Sequence, residues 1–183
     1  MNTINKMLLI MRHGKAKGRN AGERDFDRGL RKRGLHDATR MGEVLLEKGW
    51  VPDLIITSSA ERAVMTADAV AQACGYSGKI SQMESLYLGT TEQFVRVLEE
   101  LGYEEDERPV GNEEERVCFD RIMMVGHQPG LSHLVHVMTG QSVDMVTSAV
   151  AVVGFGIESW SEIINGGVGC GRLLDICLPS DVD

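Results

Sequence analysis

The chain alternates short apolar runs with stretches of helical periodicity. Met7 to Met11 (MLLIM) is a continuous apolar run that stops at polar Arg12-His13-Gly14, the pattern of a strand buried on both faces and ending in a loop. From Leu30 to Lys48 the apolar positions Leu35, Ala38, Met41 and Leu45 recur at helical spacing, and Gly49 stands where a helix stop belongs. Asp53 to Thr57 (DLIIT) predicts a second buried strand. Ser58 then follows as a cap, with Glu61 completing a capping box, and Ala63, Ala67, Val70 and Cys74 line one face of the next helix.

The alternation continues with a brief strand at Ile80 to Met83 and a helix from Thr91 to Leu101 carrying Phe94, Val97, Leu98 and Leu101. Gly102 to Arg116 is crowded with acidic residues around Pro109 and Gly111 and reads as an exposed acidic loop. Arg121 to Val125 (RIMMV) is again a buried strand, ending in Gly126-His127-Gln128-Pro129-Gly130. Pro129 is placed as the first residue of a helix with Leu131, Leu134, Val135 and Met138 on its inner stripe. Two final strands fall at Ala149 to Ile157 and Gly171 to Leu178. Strands alternating with helices predict a three-layer α/β/α fold with a mostly parallel central sheet and an antiparallel strand near the end, in a single domain over residues 1–183.

Charge sharpens the picture. The chain carries a formal net charge of -8, which argues against general nucleic-acid binding, yet the first forty residues hold eleven Lys/Arg against four Asp/Glu. A basic segment in an acidic protein points to a local site for an anion, although Lys15, Lys17, Arg19, Arg31, Lys32 and Arg33 taken singly read as solvated surface. No apolar run is long enough to span a bilayer and no secretory signal is evident, so the expected location is the cytoplasm, without membrane attachment. The four cysteines, Cys74, Cys118, Cys170 and Cys177, lack zinc-ligand spacing and read as reduced thiols.

In open α/β sheets ligands gather beyond the carboxyl ends of the strands. His13 follows the first strand and His127 the fourth, with Arg12 beside the first strand's end and Arg62 in the first turn of the second helix. Two arginine forks suit phosphate oxygens without a metal to neutralise charge, and the helix opened by Pro129 would add backbone N–H groups. A cationic pocket disfavours protonation of an imidazole within it, so His13 keeps a lone pair for attack on phosphorus. Gly14 lets the backbone approach the ring and accept a hydrogen bond from one ring nitrogen, leaving the other for substrate. Asp25 and Asp27 are near in sequence only, and no carboxylates or histidines cluster around the His13 and His127 motifs as a divalent-metal site requires.

Ile10-Met11-Arg12-His13-Gly14 resembles the Arg-His-Gly signature of the histidine phosphatase (phosphoglycerate mutase-like) superfamily. Ser58 to Ala67 is similar to its second motif, S-x-x-x-R-A-x-x-T-A, and Val125-Gly126-His127 to its third. Arg28-Gly29-Leu30 with Gly34, Gly126 to Leu131, and Thr147 to Ala151 look most like the SixA-type phosphohistidine phosphatases. The resemblance implies a phosphoglycerate mutase-like fold, His13 as nucleophile, Arg12, Arg62 and His127 as phosphate ligands, no metal and no cofactor. It implies as substrate a phosphohistidine-bearing protein or a small phosphate compound. Arg28-Gly29-Leu30 departs from the Arg-Pro-Leu frequent among relatives.

For relatives that cleave alkyl phosphates a carboxyl protonates the leaving oxygen, and Glu84, after the third strand, is the candidate here. A surface glutamate is the equal alternative. Two rival functions stand beside the phosphohistidine reading: a small-metabolite phosphatase or mutase of the same superfamily, and a non-catalytic phosphate-binding module. His36, His133 and His136 read as structural or surface residues.

Overall fold

The apolar runs lie side by side in one six-stranded sheet. In the computed structural model, residues 3–106, 119–163 and 169–181 are described. The strands are β1 (Lys6–Arg12), β2 (Leu54–Ser58), β3 (Ser81–Met83), β4 (Arg121–Gly126), β5 (Val150–Phe155) and β6 (Arg172–Cys177), in the order β3-β2-β4-β1-β5-β6. β1, β4, β2 and β3 are mutually parallel. β5 runs against β1, and β6 runs against β5, so β5 is the strand of reversed direction.

Strand side chains alternate between the faces, and each face buries its own core. Leu8, Ile10, Ile56, Ile122 and Met124 pack beneath α3 (Thr91–Asp106) and α4 (Gly130–Thr139). Leu9, Met11, Ile55, Met123 and Val125 pack beneath α1 (Lys32–Glu47) and α2 (Glu61–Cys74). This is the three-layer α/β/α arrangement expected for a chain whose central strands are apolar throughout.

Several local expectations change. Leu35 is 44% exposed, and the inner stripe of α1 is Ala38, Met41, Val44 and Leu45. The acidic segment expected to loop out at Gly102 instead begins inside α3, which continues to Asp106. Gly102 does not stop the helix because it is a packing contact: a Cβ there would lie 2.6 Å from the Trp160 carbonyl carbon. Residues 107–116 of that segment lie outside the described residues. Pro129 is the N-cap of α4, whose first residue is Gly130.

The Ser58/Glu61 capping box does not form. The N-cap of α2 is Ala60, without a side-chain cap, and Ser58 Oγ accepts from the Ala60 N–H at 3.3 Å. Its hydroxyl serves the site instead. At α1 the N-cap is Arg31, also without a side-chain hydrogen bond, and the first turn holds Lys32 and Arg33 and no acid. Cations at this end oppose the helix dipole.

After β1 the chain is pinned by glycines. Residues 15–17 pair with 29–31 around the antiparallel bridge Ala16–Leu30, with Lys17 N–H donating to Gly29 O and Arg31 N–H to Lys15 O. This ribbon lies against α1 so tightly that a Cβ on Gly14 would stand 2.6 Å from the Gly34 carbonyl oxygen, and one on Gly34 2.6 Å from the Lys15 nitrogen.

Gly34→Ala would gain helix propensity of up to about 1 kcal/mol. Its methyl would strike the backbone of Lys15, which cannot yield without moving the turn beside His13. A net destabilisation of about 1–3 kcal/mol is expected in urea unfolding, and an unchanged or raised midpoint would show that this contact does not hold the turn.

Candidate active site

Strand register brings the two histidines together. β1 and β4 are adjacent and parallel with Arg12 opposite Gly126, so the residues that follow, His13 and His127, leave the sheet at the same level. His13 N–H donates to Gly126 O at 3.1 Å, and the ring centroids are 5.0 Å apart. β2 flanks β4 on the other side, which carries Ser58 to His127 and starts α2 so that Arg62, in its first turn, reaches both rings.

Arg62 is 3% exposed and almost fully engaged. Nε donates to His13 Nε2 at 3.3 Å, Nη1 to the Asp25 carbonyl at 2.6 Å, and Nη2 to Asp25 Oδ2 at 2.8 Å while lying 3.4 Å from His127 Nδ1. Asp25 in turn accepts from the Tyr87 hydroxyl at 3.0 Å and pairs with Arg28 Nη2 at 2.7 Å. Tyr87 stands edge-on to His127 and to Phe26, at 5.5 and 5.1 Å between centroids.

These partners assign the tautomers. His13 Nδ1 is 2.7 Å from Gly14 O, an acceptor, so the proton is on Nδ1 and the Nε2 lone pair faces Arg62. His127 Nδ1 faces a guanidinium, which only donates. Its proton is therefore on Nε2 and is donated to Ser58 Oγ at 2.8 Å.

Burial and charge keep both rings neutral. His13 falls from 6.5 to about 4, chiefly through burial and then through Arg62, Arg12 and Arg28, against the opposing Gly14 hydrogen bond. His127 falls to about 3 through burial, His13 and Arg62. For Asp25, burial pushes the carboxyl up, but the Tyr87 hydrogen bond and the charges of Arg62 and Arg28 outweigh it and hold the group below its ordinary range.

Arg12 sits at the rim with Nη1 donating to Met145 O at 2.9 Å, while its Nε is buried without a partner among the described residues. The turn before β5 supplies that carbonyl, and Ser148, at φ 64°, donates its N–H to Arg12 O at 3.1 Å. Gly14 N–H donates to Thr66 Oγ1 at 2.9 Å, and that hydroxyl donates to Arg62 O, tying the turn at His13-Gly14 to α2.

Of the residues singled out in the sequence, His13, Arg62 and His127 touch one another and Arg12 adjoins them. Glu84 does not join them. It opens a 3-10 turn, Glu84–Leu86, its side chain is exposed, and among the described residues none of the cluster's hydrogen bonds reaches it. His133 and His136 are exposed on α4.

Asp25 corrects the reading that it is near in sequence only, because the 3-10 turn Asp25–Asp27 folds its carboxylate onto Arg62. Tyr87 was not foreseen either. An aromatic after a short strand carries no signal until Asp25 is known to stand opposite it. Among the described residues no group of three or more His, Cys, Asp or Glu is arranged to hold a metal ion, and Cys74, Cys170 and Cys177 are free thiols. No helix of the described residues is long and apolar enough to cross a membrane.

Residues 8–108, more than half of the chain, match the sequence profile of the histidine phosphatase superfamily (branch 1). The chain belongs to that superfamily. The matched span holds Arg12, His13, Arg62 and Glu84, whereas His127 lies beyond it and enters through the fold. The superfamily chain is 25% identical over 168 residues to an uncharacterized chloroplastic protein of Arabidopsis thaliana, covering 87% of this chain and 71% of that one.

Its fold is shared with the protein histidine phosphatase SixA solved with tungstate, at TM-score 0.76 and 20% identity over 96% of this chain and 98% of that one. A mycobacterial glucosyl-3-phosphoglycerate phosphatase follows at TM-score 0.63 and 18% identity, over 92% and 97%. Superfamily membership supports phosphatase chemistry and a phosphoglycerate mutase-like α/β fold.

The two depressed histidines make stability pH-dependent with a definite sign. Well above pH 6.5 neither state protonates them. As pH falls from 6.5 towards 4 the unfolded chain takes up protons that the folded one refuses, so stability is lost, on the order of 3 kcal/mol for His13 alone. Urea midpoints measured across pH 4–7 are expected to fall more steeply in the wild type than in His13→Gln. Equal slopes would mean that His13 titrates normally in the fold.

Proposed function

We propose that this superfamily member is a phosphatase that works through a phosphohistidine at His13, and that it acts by preference on phosphohistidine in proteins. The observation that carries the reading is the state of His13: Nδ1–H fixed on the Gly14 carbonyl and an unprotonated Nε2 directed at Arg62. A neutral, oriented imidazole among arginines is the form a nucleophile towards phosphorus needs.

A phosphoryl group entering here meets the Arg62 and Arg12 guanidiniums, which bind its equatorial oxygens and spread the charge that builds in the transition state. His13 Nε2 forms the new bond to phosphorus as the bond to the leaving atom breaks in line with it. His127, with Nε2–H held by Ser58, turns Nδ1 to the group and donates there once protonated, which an arriving dianion favours. Water then displaces His13, releasing inorganic phosphate.

A leaving imidazole nitrogen takes its proton from solvent, so this sequence needs no carboxylic acid. Asp25, held ionised by two arginines and Tyr87, is suited to aligning Arg62 and not to donating a proton. The exposure of Glu84 fits an N-phosphoryl substrate better than an alkyl phosphate.

The test offers a phosphohistidine peptide and an aryl phosphate side by side, in chelator, to wild type, His13→Ala and Glu84→Gln. Turnover is expected to favour phosphohistidine, to fall at least about a thousandfold in His13→Ala, and to stay within about twofold in Glu84→Gln. Preference for the ester together with a large loss in Glu84→Gln would replace this reading with a metabolite phosphatase that uses Glu84 as acid. Absence of turnover with phosphate still bound would leave a binding module. Separately, Asp25→Asn is expected to raise KM for the preferred substrate by about tenfold with a smaller change in kcat, because Arg62 loses its anchor. An unchanged KM would remove Asp25 from the site.

A further inference from the structure

We infer that the basic ribbon beside the pocket is a docking surface for an acidic face of a partner protein, the one that presents the phosphorylated side chain. The inference rests on the phosphatase reading above and adds what the substrate's surroundings must be.

The ribbon begins two residues after His13. In the antiparallel pairing of Ala16 with Leu30, Leu30 is buried, so the alternate positions Lys15, Lys17 and Arg31 point together to the outside, and all three are exposed. Among the described residues none of these three, nor Lys32, has a carboxylate in an ion pair, whereas Arg24, Arg28 and Arg33 close by are paired with Asp27, Asp25 and Asp37.

The row runs on into the start of α1, where Arg31 occupies the N-cap and Lys32 and Arg33 the first turn. Folding alone favours Ser, Asp or Asn at the cap and acids after it. Three consecutive cations break that rule at the end of the helix nearest the pocket. Arg33 is answered by Asp37 on the same helix, but Arg31 and Lys32 have no carboxylate partner among the described residues, and a break of this kind marks a surface whose sign is set by something outside it.

The sign selects an anionic partner, and the rest of the chain selects its shape. Beyond residue 40 the sequence has eight Lys/Arg against twenty-three Asp/Glu. That net negative charge disfavours a long polyanion such as nucleic acid, whereas a compact acidic protein face need engage only the local cations. Arg28 links surface and site, because its Nη1 donates to Lys17 O and its Nη2 pairs with Asp25, the anchor of Arg62.

The experiment compares two peptides sharing a central phosphohistidine, one flanked by glutamates and one by lysines, with free phosphohistidine as the small substrate. The wild type is expected to show kcat/KM about tenfold higher for the glutamate peptide at low salt, a difference that shrinks as salt is raised to about 0.3 M. Lys15→Glu/Lys17→Glu/Arg31→Glu should abolish or invert the preference while turnover of free phosphohistidine stays within about threefold. The milder triple Gln variant should abolish it without inverting it.

Equal kcat/KM for the two peptides in the wild type, with free phosphohistidine hydrolysed, overturns the docking surface and leaves the phosphatase reading intact. Should no substrate be turned over, the phosphatase reading fails, and anisotropy titration of the same peptides decides the surface alone: tighter binding of the glutamate peptide, lost in the triple variant, supports it, and equal binding overturns it. Duplex DNA binding as tightly as the glutamate peptide would overturn a protein partner.

Discussion

The pairing of β1 with β4 sets what every other element must accommodate. These strands lie next to each other in the sheet although 108 residues separate the end of one from the start of the other, and their parallel register places Arg12 against Gly126. Parallel strands apolar on both faces need both faces covered, which here is done by the α1/α2 layer on one side and the α3/α4 layer on the other. Once the register is fixed, His13 and His127 leave adjacent strand ends at one level. The imidazole pair follows from backbone hydrogen bonding more than from any direct attraction between the rings. Gly126, opposite Arg12, is held by the Phe94 ring of α3 and Leu131 of α4, so packing on one face bears on the chemistry at the edge.

Arg62 converts that juxtaposition into a site. One guanidinium addresses both imidazoles and is itself fixed by the backbone and side chain of Asp25. The Arg62 charge, beside a buried His13, reinforces the burial that lowers the imidazole's affinity for a proton, so a cation suited to an oxyanion also favours the neutral ring. Both rings are neutral chiefly because they are buried, and the Arg62 charge adds to that. The cost of burying Arg62 is borne by Asp25, whose carboxylate balances Arg62 and Arg28 together.

What the sequence made legible follows from the range over which each signal acts. Strands of four or five apolar residues and helices with a clean inner stripe, such as Leu131, Leu134, Val135 and Met138, are decided by neighbours a few positions away, and they stand as read. Arg12, His13, Arg62 and His127 were legible because a strand end or a helix start fixes where each side chain emerges. Asp25 and Tyr87 were not, since their importance lies in a contact with each other across 62 residues. Ser58 shows the same limit from the other side. Local rules assign its hydroxyl to a helix cap, and the proximity of His127 reassigns it. At Leu35 the periodic pattern misled because Gly34 takes the close contact, and at Gly102 composition suggested a loop where the glycine instead lets α3 pass close to Trp160 and run on to Asp106.

The reversed strand β5 has an effect on how such a protein can diversify. Running against β1, it brings its entry and not its exit to the pocket end, and the turn that precedes it holds Arg12 through the Met145 carbonyl and Ser148. That turn bears none of the chemistry and lies outside the span that marks the superfamily, 8–108. Substitutions in residues 140–148 can therefore retilt Arg12 at the rim while every residue of the histidine pair stays as it is, a route to altered pocket shape that a search confined to the motif residues would pass over.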